Sequence, residues 1–201
     1  MNFIRYSVYS LAFILFVSLA SAKELKSDEL NYAVTIPDGW TVTFQNFAGF
    51  SIASQDGKKT ITLLVRSNAN DVLDPGSIAI VEQGLQKAGA QIVSSRNFMI
   101  DGVPAYENVF RVGKTPYASS FVVHQIIADN KFYSLQSGYM GGDAAQDSGM
   151  QEALASFHFL QPPKPSKPSG SGGFASHGAR LVVLGIIVAG IVFGVIRSRK
   201  T

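Results

Sequence analysis

The 201 residues include no cysteine and only three histidines. Without cysteine there is no thiolate nucleophile, no disulfide and no cysteine-ligated metal centre. His124, His158 and His177 are never three or four residues apart, so the usual helical zinc arrangement is missing as well. No Gly-x-Ser-x-Gly elbow and no dinucleotide-binding glycine loop is found, and Gly138 to Gly142 lacks the following Lys-Ser/Thr that a P-loop requires. Asn-x-Ser/Thr acceptors are also absent, which together with the missing cysteines favours a bacterial envelope over a eukaryotic cell surface. Charged residues make up only 15% of the chain and hydrophobic ones 46%, excluding disordered and collagen-like classes.

The formal charge of +3 is unevenly placed. Residues 23–160 hold 14 acidic and 10 basic side chains, so this stretch is mildly acidic. The remaining seven bases lie in the terminal segments and the linker. A phosphate-backbone footprint, and with it nucleic-acid binding, is therefore not expected of the folded part.

Both ends are apolar. Arg5, the run Leu11 to Val17 and the small residues Ala20-Ser21-Ala22 have the order of a secretory signal peptide over 1–22, cut after Ala22. Residues 181–196 carry no charge and are flanked by Arg180, Arg197, Arg199 and Lys200. At about 1.5 Å per residue they reach roughly 24 Å, enough for one transmembrane helix with snorkelling arginines. The basic tail 197–201 places the C-terminus in the cytoplasm and the domain 23–160 in the periplasm of a single-pass inner-membrane protein. Gly190 and Gly194 form a small-x-x-x-small pair, a candidate face for homodimerisation of that helix. Residues 161–180, rich in proline and then in glycine and serine, read as a stalk.

Within 23–160, Tyr32 to Ile36 alternates and stops at Pro37-Asp38-Gly39, and Trp40 to Phe44 alternates again. Ser51 to Ser54 and Thr60 to Val65 flank an Asp56-Gly57 hairpin turn. Asp74-Pro75 opens a helix with the stripe Ile78, Val81, Leu85 and Ala88, ended by Gly89. Four strands follow, Gln91–Phe98, Ala105–Val112, Tyr117–Ala128 and Lys131–Ser137, broken by Asp101-Gly102 and Asp129-Asn130. Asp143 with Gln146 caps a second helix. The class implied is α+β, a mostly antiparallel sheet with about two helices packed on it.

The segments Tyr32-Ala-Val-Thr-Ile-Pro-Asp-Gly-Trp40, the helix near 75–88, Ile100-Asp-Gly-Val-Pro-Ala-Tyr106 and Leu154-Ala-Ser-Phe157 resemble the PsbP-like superfamily, in particular its DcrB-like extracytoplasmic domains. The resemblance implies a sandwich fold and a non-catalytic accessory or binding role, with no cofactor. The chain departs from DcrB-like lipoproteins in having no lipobox cysteine and in carrying its apolar anchor at the C-terminus.

Candidate functional residues are few. His124 lies among apolar neighbours in Phe121 to Ile127 and is expected to be a hydrogen-bonded sheet residue. Asp143 and Asp147 are four apart and could share a cation, although a cap explains Asp143 better. Among the aromatics Trp40, Phe44, Phe47 and Phe50, the first two share a strand face and should fill the core, leaving Phe47 and Phe50 as candidates for contact with a partner or a membrane surface. The expected function is a membrane-anchored envelope module that binds a protein partner. The alternatives are a carrier of a small apolar ligand or lipid, and a hydrolase assembled from scattered groups such as His124, Asp101 and a serine.

Overall fold

The computed structural model describes residues 23–67, 73, 75–114 and 118–164. The expected leader with its cut after Ala22, the Asp74 cap, the stalk beyond Lys164, the apolar segment 181–196 with Gly190 and Gly194, and the basic tail all lie outside the described residues. Among the described residues no helix is long and apolar enough to cross a membrane.

The elements are β1 (Lys23–Ser27), β2 (Tyr32–Ile36), β3 (Thr41–Asn46), β4 (Gly49–Ala53), β5 (Lys59–Ser67), α1 (Pro75–Lys87), β6 (Ala90–Ile100), β7 (Val103–Val112), β8 (Ser119–Ala128), β9 (Lys131–Met140) and α2 (Ser148–Ala155). Seven strands form one sheet in the order β3-β4-β5-β9-β8-β7-β6, and β1 and β2 form a separate hairpin. Every pairing between these strands is antiparallel. The expected α+β class is thus the observed one.

Turn chemistry explains the connections. Asp101-Gly102 and Asp129-Asn130 take positive φ at both residues (48° and 79°, 52° and 56°), the backbone that two-residue hairpins need and that Asp, Asn and Gly tolerate. The β4–β5 turn closes at Asp56-Gly57, where the Asp56 carboxylate accepts from Ser54 Oγ at 2.6 Å and from the Lys58 N–H at 3.0 Å. Gly49 cannot be replaced without disruption. Its φ is +133°, and a Cβ there would sit 2.0 Å from the Leu63 carbonyl oxygen.

The sheet is covered on both faces. α1 lies on one, burying Val81 and Leu85 against Ala90, Phe110 and Val123. Its last turn ends at Lys87 and Gly89 takes φ +84°, so Ala88, expected in the buried stripe, is exposed. The other face carries the main core, in which α2 (Met150, Leu154) and β2 (Tyr32, Val34, Ile36) pack on Phe50, Ile52, Ile61, Leu63 and Leu135. An aromatic cluster closes it: Tyr133 meets Phe157 and Phe159 edge-on, with ring centroids 6.2 and 5.4 Å apart. The Tyr133 hydroxyl donates to the Leu30 carbonyl at 3.0 Å, fixing the β1–β2 turn over the sheet.

The second helix starts later than its sequence signals suggest. Asp147 is the N-cap, accepting from the Met150 N–H at 3.0 Å, and its other oxygen pairs with Lys59 of β5. Asp143 instead stabilises the preceding turn by accepting from the Ala145 N–H at 3.1 Å, and it pairs with Arg111 at 2.6 Å. Each carboxylate is therefore engaged by its own basic side chain, and the two do not converge on a shared cation.

Candidate functional site

Among the described residues a cavity of about 370 Å³ lies between the β6–β8 side of the sheet and α2. Its sheet wall is built from β6 (Arg96, Phe98, Met99, Ile100), β7 (Glu107) and β8 (His124), and its helical wall from Gln151, Leu154, Ala155 and Phe157. Strand register creates the polar part. Arg96 pairs with Glu107 across β6–β7, and Glu107 with His124 across β7–β8, so the three side chains form one row on the α2 face.

The row is tightly bonded. Arg96 donates through Nε and Nη2 to the two oxygens of Glu107 at 2.7 and 3.1 Å, a bidentate fork. The His124 Nε2 lies 2.9 Å from Glu107 Oε2. A ring nitrogen facing a carboxylate is a donor; the other, Nδ1, is buried and has no hydrogen-bond partner among the described residues. Phe98 packs edge-on against the imidazole at 4.8 Å and also lies beneath the Arg96 guanidinium. The His124 hydrogen bond, followed by the Arg96 fork, outweighs burial and holds the Glu107 carboxyl down at about 2. Glu107 thus stays ionised throughout the physiological range and fixes both neighbours.

Exposure runs along a gradient. The His124 and Glu107 side chains are 8% and 9% exposed, whereas Arg96 is 66% exposed. The cavity therefore has a rigid ionic floor, a guanidinium and Met99 at its rim, and an apolar back wall of Leu154 and Phe157. Among the described residues no serine, threonine or cysteine lines it. Asp101, also on its wall, uses one carboxylate oxygen to accept from the Phe159 N–H at 2.7 Å, tying the β6–β7 turn to the segment that leaves α2.

On the opposite face, Glu82 of α1 accepts from Ser95 and Tyr106, both at 2.7 Å, and more weakly from Asn108. The Ser95 and Tyr106 hydroxyls hold its carboxyl below the usual range. This cluster clamps α1 onto β6 and β7.

The sequence candidates separate. His124 is the hydrogen-bonded sheet residue it was expected to be, yet it also lines the cavity. Phe50 is fully buried in the main core and is not available as a contact residue, because β4 begins at Gly49 and turns Phe50 and Ile52 inward together. Phe47, at the β3–β4 tip, is 81% exposed. Trp40 and Phe44 are only half-buried, since little covers β3. Arg96 and Glu107 carry no flag in the sequence. An acid inside the apolar strand Ala105 to Phe110 is the available signal, and its meaning depends on the register that sets it beside His124.

A similar fold occurs among solved structures. The solution structure of cyanobacterial PsbP (CyanoP) from Synechocystis superposes with a TM-score of 0.50 at 14% identity, covering 72% of this chain and 95% of that one. The fold is PsbP-like. A Bacteroides thetaiotaomicron protein scores 0.48 at 12% identity, over 70% of this chain and 49% of its own length. LpqN of Mycobacterium tuberculosis, described as involved in cell envelope biogenesis, scores 0.44 at 9% identity, over 70% of this chain and 86% of its own. No protein-family model matches the sequence, and no curated protein matches it.

Proposed function

We propose that the chain is a non-catalytic accessory module of the cell envelope. In this reading residues 23–160 are exported, the segment 181–196 anchors them in the inner membrane, and the domain works by holding a protein partner in the groove between β6 and α2. The observation that carries the reading is the groove itself. The Arg96 and Glu107 charges are paired with one another, the back wall is apolar, and among the described residues the lining offers no hydroxyl or thiol from which His124 could take a proton. Such a surface recognises shape and a few polar contacts. The mild acidity of the domain, the PsbP-like fold and the order of leader, domain, stalk and apolar segment support the same reading.

A carrier of a small apolar ligand is the second reading, favoured by Phe98, Leu154 and Phe157. A cavity of about 370 Å³ is near the lower end of small-molecule sites, better matched to a side chain or a short peptide stretch than to a whole lipid.

The test is in-cell photo-crosslinking of the full chain with the reactive residue at Met99, on the groove rim, and with Ala155→Trp added to fill the groove. Discrete adducts at Met99 that vanish on filling are expected. Adducts that persist in the filled variant, or none at all, would remove the groove from the account.

A further inference from the structure

The β3–β4 hairpin is unlike the rest of the surface. From Gly39 to Gln55 there are 17 consecutive residues without a charge. β3 is the terminal strand of the sheet, five of its six residues are exposed and the sixth, Phe44, is half-buried. Terminal strands in water are usually guarded by charge or proline against unwanted pairing, and β3 has neither. The opposite edge, β6, carries Arg96. At the β3–β4 tip, Phe47 is 81% exposed and has no ionic neighbour in sequence for eight residues on either side.

The position of the tip adds a second argument. Register places Gly49 opposite Leu64, and Leu64 opposite Ser134, so the tip lies toward the same end of the sheet as the Asp129-Asn130 turn. The chain leaves the domain at that end. Asp129 accepts from the Lys164 N–H at 2.8 Å and donates its own N–H to the Lys164 carbonyl at 3.0 Å. Sixteen residues separate Lys164 from the uncharged run 181–196. Sixteen residues reach roughly 50 Å when extended, so a tether alone leaves the domain free to turn.

We propose that the β3–β4 tip docks on the lipid surface, the Phe47 ring entering the interfacial layer and orienting the tethered domain. This rests on the reading of 181–196 as a membrane anchor. Aromatic rings favour the headgroup boundary, and an uncharged hairpin enters it without stripping water from an ion. The same lack of charge gives a protein partner nothing to pair with electrostatically, which is why lipid is the occupant chosen.

The full chain, in vesicles of phosphatidylethanolamine and phosphatidylglycerol, tests the proposal. Trp40 is the single tryptophan, so Trp40→Phe with Phe47→Trp reports on the tip and Trp40→Phe with Val93→Trp on the opposite edge, where Val93 is 52% exposed. Bromine-labelled acyl chains are expected to lower the emission of the tip reporter at least twofold and to leave the edge reporter unchanged. If the protein floats with the vesicles but the two reporters respond alike, or if the tip reporter is shielded from both bromolipid and aqueous acrylamide, docking on lipid is overturned and anchoring stands. Failure to float overturns both. Should Trp40→Phe unfold the domain, nitroxides on Phe47→Cys and Val93→Cys make the same comparison in a chain with no native cysteine.

Discussion

Replacing Glu107 by glutamine keeps the shape of the groove floor and removes its charge. The folded domain holds this carboxyl near 2, against an ordinary value of 4.5, because His124 and then Arg96 bond to the ionised form. A depression of that size corresponds to about 3 kcal/mol of stability at neutral pH. The Glu107 side chain is only 9% exposed, so little of this is lost to solvent, while the 66% exposure of Arg96 makes the figure a ceiling. The sign follows from the direction of the shift. A carboxyl whose folded value is depressed contributes fully above its unfolded value and loses that contribution as pH falls toward the folded one. The gap between wild type and Glu107→Gln is therefore at most about 3 kcal/mol at pH 6 to 7, equivalent to at most about 10 °C in Tm for a domain of this size, and narrows to about 1 kcal/mol or less at pH 3. Urea unfolding followed by far-ultraviolet circular dichroism at closely spaced pH values measures it, and the difference cancels the titration of all other carboxylates. A gap that is absent at pH 7, or constant from pH 7 to pH 3, would refute the ionic row as the organiser of the groove.

Other variants probe the remaining supports. Leu154→Ala empties a buried contact between α2 and the main core and should cost about 2 to 5 kcal/mol in urea unfolding; a cost under about 1 kcal/mol would contradict the packing. Asp147→Ala removes both the α2 cap and the Lys59 pair and is expected to destabilise by about 1 to 2 kcal/mol, more than Asp143→Ala; the reverse order would return the cap to Asp143. Gly49→Ala should lower stability by about 3 kcal/mol or more, since both the positive φ and the Leu63 carbonyl oppose a Cβ; a neutral thermal melt would contradict the hairpin geometry.

Much of the fold is legible because local chemistry and tertiary structure agree. Tyr32 to Ile36 alternates and ends at Pro37-Asp38-Gly39, and it is β2 to the residue. Asp101-Gly102 and Asp129-Asn130 are the turns their composition demands. The misses have physical causes. β1 has one buried residue, Leu25, among five, so its pairing with β2 leaves almost no apolar period to read. Asp143 and Asp147 both have capping chemistry, and only the path of the chain decides between them. Phe50 reads as free because the strand signals begin at Ser51, two residues after β4 itself. The groove is least legible of all. Arg96, Glu107 and His124 are separated by 11 and 17 residues, and only antiparallel register sets them side by side.

The central claim is that this domain works outside the cytoplasm while its tail remains inside. Single cysteines at Val93 and at Thr201, in the otherwise cysteine-free chain, test it most directly with a membrane-impermeant maleimide. In spheroplasts Val93→Cys should be labelled at once and Thr201→Cys only after lysis. Protection of Val93→Cys until lysis, or immediate labelling of Thr201→Cys, would contradict the account.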